Sequence, residues 1–144
     1  MFFASLPWHP FWVHFPIALW LVGAATLGIG LIPRFKSIQK SAWIMLTIAA
    51  ITSIPSALSG QNALDALGDI QDPVLSQHER LGNLLPWLMS AVILFKGHTF
   101  FSKKSSLHIP DFIWFLLAFA ITLLALYVGH IGGILVYEKK LLYA

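Results

Sequence analysis

Four stretches of the chain, residues 1–33, 41–64, 81–95 and 112–137, contain no Asp, Glu, Lys or Arg, and the charged residues gather in the short segments between them. An apolar run of roughly 20 residues is long enough to cross hydrocarbon as a helix, where every backbone polar group must be satisfied within the segment. The pattern therefore predicts four membrane-spanning helices, over about 10–32, 41–59, 76–95 and 110–137. With short connections they form a single all-α domain, an up-down-up-down four-helix bundle. No internal repeat is visible along the sequence.

The element ends carry their own signals. Pro10 suits a first helical turn, Pro16 falls in the next turn, and Gly23, Gly28 and Gly30 permit close helix approach before Pro33 and Arg34 end the first span. Ser41 reads as the N-cap of the second span, whose far end, Ser53 to Gly60, is rich in small residues. That richness fits close packing against either a neighbouring helix or a flat cofactor. Gln61 to Gln77 is the most polar part, with Asp65, Asp69 and Asp72 between Leu64, Leu67 and Ile70, and predicts a short amphipathic interfacial helix. Two start signals precede the third span, Asp72-Pro73 and the capping-box spacing Ser76-x-x-Glu79; either puts His78 near the first turn. Trp114 and Tyr137 sit near the two ends of the last span, as interfacial anchors do.

Composition agrees with this pattern. The chain of 144 residues is 58% hydrophobic and 10% charged, with a mean hydropathy of +0.77, too few polar residues to cover a soluble surface. One side of the bundle holds Arg34, Lys36, Lys40, Lys96, Lys103 and Lys104, with no acid in the connections Arg34 to Lys40 and Lys96 to His108; the other holds Arg80, Lys139 and Lys140 against Asp65, Asp69, Asp72, Glu79 and Glu138. By the positive-inside rule the first side is cytoplasmic and both termini are periplasmic in a bacterial inner membrane. The first run has no basic segment before it and no small-residue cleavage pattern ahead of His14, which reads as an uncleaved start that keeps His9 and His14. The basic residues lie in loops rather than on an aromatic-laced patch, so nucleic acid is not the expected partner.

The absence of cysteine excludes disulfides, thiolate metal sites, iron–sulfur clusters and covalent c-type haem, leaving six histidines as the strong metal ligands. His9 and His14 open the first span, His78 opens the third, and His130 lies about two turns before the outer end of the fourth, so all four approach the outer face. His98 and His108 fall in the basic cytoplasmic connection and read as solvated loop residues. If both are helical, His9 and His14 differ by ~7.5 Å in depth and ~140° in direction, so they serve different partners rather than one metal. Two bis-histidine sites are permitted, with the pairings open. Gly82, one turn after His78, and Gly129, Gly132 and Gly133 around His130 offer surfaces without bulk beside a porphyrin, and Arg80 with Lys139 or Lys140 are candidate partners for its propionates. Ionisable groups inside a membrane are costly and mark function, although structural histidines, a proton-handling cluster and a divalent metal site remain alternatives. His78-Glu79-Arg80 is not a zinc-protease motif, and Met45 and Met89 are too isolated for a copper relay.

Two segments, His9-Pro10-Phe11-Trp12-Val13-His14-Phe15-Pro16-Ile17-Ala18-Leu19 and Gly129-His130-Ile131-Gly132-Gly133-Ile134-Leu135-Val136-Tyr137, resemble the signatures of a bacterial four-span membrane family, domain of unknown function 2231. The likeness spans nearly the whole chain. It implies a four-helix membrane fold and haem binding through the membrane histidines; this chain departs in carrying Glu138-Lys139-Lys140 where the family often has a glycine turn. The function expected is a b-type membrane cytochrome with two haems, His9, His14, His78 and His130 being axial ligands. It would move electrons at the periplasmic face between quinone, or a small oxidant such as superoxide, and a redox partner, an oxidoreductase if it turns over substrate. The alternatives are a non-enzymatic membrane subunit and a histidine-lined divalent metal site.

Overall fold

The computed structural model describes residues 8–67, 70–101 and 109–139. Four long helices make up nearly all of it: α1 (Trp8–Ile29), α2 (Gln39–Leu67), α3 (Pro73–Phe101) and α4 (Asp111–Gly133). A 3₁₀ segment, Pro33–Ile38, links α1 to α2, and α4 runs on as a π-helical turn, Ile134–Glu138. All four are long and apolar enough to span a bilayer. Each helix packs on its sequence neighbours and α1 closes the ring against α4, so α1 stands diagonally from α3 and α2 from α4.

The core is a column of alternating bulk and space. Trp20, Leu27, Leu46, Met89 and Trp114 are its largest fully buried side chains, and Ala24, Ala42, Ala49, Ala118 and Ala125 fill the gaps between them. Trp20 donates its indole N–H to the Ala118 carbonyl at 3.0 Å, which answers the one polar atom that so large a side chain brings into the interior. Gly23 and Gly28 do let helices close up: a methyl group at Gly23 would lie 3.0 Å from Leu46, and one at Gly28 2.7 Å from Phe115. The outward faces of the helices stay apolar, with residues such as Val22, Ile44, Ile51, Leu94 and Leu123 exposed, as lipid requires.

The boundaries differ from expectation in four places. α2 starts at Gln39, so Ser41 is inside the helix, and the Gln39 side chain instead donates to the Gly30 carbonyl at the end of α1 (2.8 Å). Among the described residues no separate interfacial helix follows Gly60. α2 continues to Leu67 because Ala63, Leu64 and Ala66 are good helix formers with no proline to stop them. Asp69 lies outside the described residues. Of the two start signals for α3, Asp72-Pro73 is used: the Asp72 carboxylate accepts the backbone N–H of Val74 (2.8 Å) and Leu75 (3.1 Å). α3 also extends to Phe101, which puts His98 on a helix rather than in a loop, still exposed; His108 lies outside the described residues. Trp114 is buried rather than an interfacial anchor. It packs edge-on against Trp43 (5.8 Å) and beside Phe95 (5.6 Å), while Tyr137 is exposed.

Ionic contacts hold the two ends. At one, Lys139 donates to Asp72, tying the turn after α4 to the start of α3. At the other, the Lys96 ammonium lies over the rings of Trp43 (5.0 Å) and Trp114 (5.1 Å), with Asp111 at 4.0 Å. The hydrogen bond from Lys139, helped by the Leu75 and Val74 N–H groups, holds the Asp72 carboxyl below its ordinary range. A depressed folded-state value means that the contact stabilises fully above the ordinary carboxylate range and is lost as pH falls through the folded value. Thermal melts of the detergent-solubilised protein should therefore fall with acidification in that range, and Asp72→Asn should flatten this dependence. Parallel profiles for both proteins would contradict it.

Candidate functional site

His9 and His78 face each other inside the bundle near the ends at which α1 and α3 begin. Both are half-buried, their ring centres are 6.3 Å apart, and their planes are nearly perpendicular at 82°. A half-buried ring N–H left without an acceptor is costly, and each finds one on a neighbouring helix. His9 directs Nδ1 at the Ser56 carbonyl on α2 (3.2 Å) and at the Ser59 hydroxyl (3.1 Å). His78 directs Nδ1 at the Val128 carbonyl on α4 (3.1 Å). A carbonyl oxygen only accepts, so Nδ1 carries the proton in both rings and Nε2 carries the lone pair. That is the tautomer in which a histidine binds a metal through Nε2, its other nitrogen oriented by a protein acceptor.

Two glycines make room for these rings. A methyl group added at Gly60 would lie 2.9 Å from His9 Cε1, and one at Gly132 would lie 3.0 Å from His78 Cε1. The Gly60 seat went unassigned in the sequence, although Gly60 closes the small-residue run Ser53–Gly60; the signal was a glycine four residues after the accepting carbonyl. Ser59 donates its own hydroxyl to the Ser56 carbonyl (2.7 Å), so it accepts from His9 with its lone pair. Next to them, the Ser56 hydroxyl is buried and has no partner among the described residues.

The other expected residues lie apart from this pair. His14, on α1, is exposed and directs Nδ1 at the Pro10 carbonyl one turn back in its own helix. His130 is exposed on α4. The four histidines therefore separate into an inner pair and two outward-facing residues, because the ~140° between His9 and His14 turns one inward and the other out. Gly82 and Gly133 have no other side chain within 4 Å of where a methyl group would stand, so neither abuts the pair. Lys139 is engaged by Asp72, and Lys140 lies outside the described residues. Arg80 is exposed and has no ionic partner among the described residues. With Pro73, Ser76, Gln77 and Leu81 it lines an open groove of about 440 Å³ at the start of α3, and Gln77 donates to the Tyr127 hydroxyl at 3.1 Å. No third His, Cys, Asp or Glu joins the inner pair among the described residues.

Four apolar helices around a paired-imidazole centre define a small all-α membrane protein with a candidate metal site at one end. The chain belongs to the family described as "predicted membrane protein (DUF2231)", whose model matches residues 5–143. No curated protein and no solved structure matches it.

The hydrogen bonds fix an expected spectroscopic result. In ¹⁵N spectra of the metal-free protein, His9 and His78 should both appear as neutral rings protonated at Nδ1. A ring protonated at Nε2 in either position would contradict the assignment.

Proposed function

We propose that this protein is a b-type membrane cytochrome whose inner histidines, His9 and His78, are the axial ligands of a haem. The observation that carries the reading is the pair itself. Two imidazole nitrogens that each bind a metal at about 2.0 Å are about 4 Å apart. The ring centres of His9 and His78 are 6.3 Å apart, a separation compatible with one metal held between the two nitrogens. Both rings offer the Nε2 lone pair, and both are oriented through Nδ1 by backbone carbonyls.

The donor count favours haem over a bare divalent metal. A zinc site takes three or four protein ligands, whereas haem iron takes four nitrogens from its own macrocycle and needs only two from the chain. When bound, haem supplies reversible one-electron exchange. The chain's part is to hold two neutral imidazoles between its helices, with Arg80, exposed on α3 two residues from His78, as the candidate cation for propionates. His14 and His130, on the outer surfaces of α1 and α4, are the remaining donors for a second haem.

By the distribution of basic residues, the end bearing the site faces the periplasm of a bacterial inner membrane. Electrons would then pass there between quinone, or a small oxidant such as superoxide, and a periplasmic redox partner. Because the chain has no cysteine, single substitutions read the orientation directly. Ser76→Cys should react with an impermeant thiol reagent in intact cells, and Ser37→Cys only after permeabilisation; the reverse pattern would invert the orientation.

Protein purified after expression with ample haem should be red, with a low-spin bis-histidine spectrum that His9→Ala and His78→Ala each abolish at the inner site. A colourless wild-type protein, or a spectrum indifferent to both substitutions, would overturn the proposal.

A further inference from the structure

The α1–α2 and α3–α4 hairpins are built on one plan. In each, a histidine near the start of the first helix gives its Nδ1 proton to a carbonyl on the second, Ser56 or Val128. In each, the glycine four residues beyond that carbonyl, Gly60 or Gly132, lies against the histidine's Cε1, with Nδ1 and Nε2 the next nearest atoms in the same order. The burial pattern repeats in register along α2 and α4 and over the site-proximal half of α1 and α3; farther on, Ala24 and Leu27 are buried in α1 where Ile93 and Lys96 in α3 are only half-buried. Seven, eleven and fourteen residues after the histidine, Pro16, Trp20 and Gly23 are buried in α1, and Leu85, Met89 and Val92 in α3. Going back from the accepting residue, Ser53, Ala50, Ala49, Leu46 and Ala42 are buried in α2, and Ala125, Thr122, Ile121, Ala118 and Trp114 in α4 at the same spacings. Even the helix starts, Gln39 and Asp111, correspond.

α1 and α3 run in the same direction and stand diagonally in the ring, as do α2 and α4, so the operation relating the hairpins is a pseudo-two-fold axis along the bundle. His9 and His78 are equivalent under it and meet each other. The outward-facing histidines are not: His14 corresponds to Asn83 and His130 to Leu58.

We infer that the bundle is a pseudo-two-fold repeat of one helix hairpin, and that Gly60 and Gly132 are matched positioning residues which, with the Ser56 and Val128 carbonyls, seat the two imidazoles as equivalent donors to a single shared metal-centred ligand. The identity of that ligand as haem rests on the proposed function; the seats do not. Each glycine acts through the histidine beside it. Bulk at either position drives the ring from its carbonyl and releases the tautomer. The two halves differ at the seat in side chains only, Ser56 and Ser59 standing where Val128 and Ile131 stand in the other half, so His9 has a hydroxyl acceptor that His78 lacks.

The test uses the full chain with Gly60→Ala and Gly132→Ala, and with Gly82→Ala and Gly133→Ala as controls at glycines that face no side chain. In haem-free protein, Gly60→Ala should move the ¹⁵N signals of His9, and Gly132→Ala those of His78, while the controls move neither. The drop in melting temperature caused by Gly60→Ala should disappear in a His9→Ala background but persist in His78→Ala, with the converse for Gly132→Ala. If a single variant fails to fold, restored folding in its matching histidine background supports the seat, and continued failure overturns it. With haem, both seat variants should weaken binding at the inner site by tenfold or more. Glycine variants that behave like the controls, or an effect confined to one half, would overturn the inference while a red wild-type protein left the haem reading standing. A colourless wild type with the expected ¹⁵N and melting behaviour would remove haem and keep the seats.

Discussion

Each inner imidazole hydrogen-bonds to the helix beside it, and the arrangement of the outer half of the bundle depends on that contact. Leaving a half-buried ring N–H unpaired between packed helices costs more than the bond itself contributes. Helix carbonyls are engaged along their own axis but keep a second lone pair; His78 uses that of Val128, and His9 shares that of Ser56 with the Ser59 hydroxyl. Reaching a carbonyl on another helix requires the backbones to come close, and closeness at that level requires a residue without a side chain one turn on. Gly60 and Gly132 meet that requirement. One polar contact thus sets the helix separation, the tautomer and the freedom of Nε2 together.

The contacts at the two ends keep this arrangement in register. Asp72 caps α3 and also accepts from Lys139, so the helix that carries His78 and the one that carries its acceptor are joined just outside the site. At the far end Lys96 sits over Trp43 and Trp114 beside Asp111, joining α2, α3 and α4 through one ammonium group. Between them the core is filled by unequal partners, with Trp114 in α4 standing where α2 has Ala42 and Met89 in α3 where α1 has Trp20. The repeat is carried by which positions are buried, while the residues at those positions differ between the halves.

A site made by two equivalent halves suits a ligand whose own two faces are alike. It also concentrates any asymmetry in the residues that break the repeat: the hydroxyls of Ser56 and Ser59 on the His9 side, and the outward-facing His14 and His130 on α1 and α4. The Arg80 groove adds a third departure, open at the start of α3. These are the features by which the two faces of a bound group would differ.

From sequence, the four spans, the all-α membrane class, the family and the histidines worth examining were legible, because hydrocarbon imposes a length and a composition on every segment that crosses it. Local capping was partly legible: Asp72-Pro73 was one of two competing signals, and the continuation of α2 beyond Gly60 followed from helix formers that polar neighbours concealed. The meeting of His9 with His78 was not legible, nor was the outward placement of His14 and His130, since spacing along one helix gives relative direction but not which direction is inward. The repeat was hidden for a related reason. Packing conserves which positions are buried, and only the assembled bundle shows that Ser56 and Val128, or Ala42 and Trp114, occupy the same place.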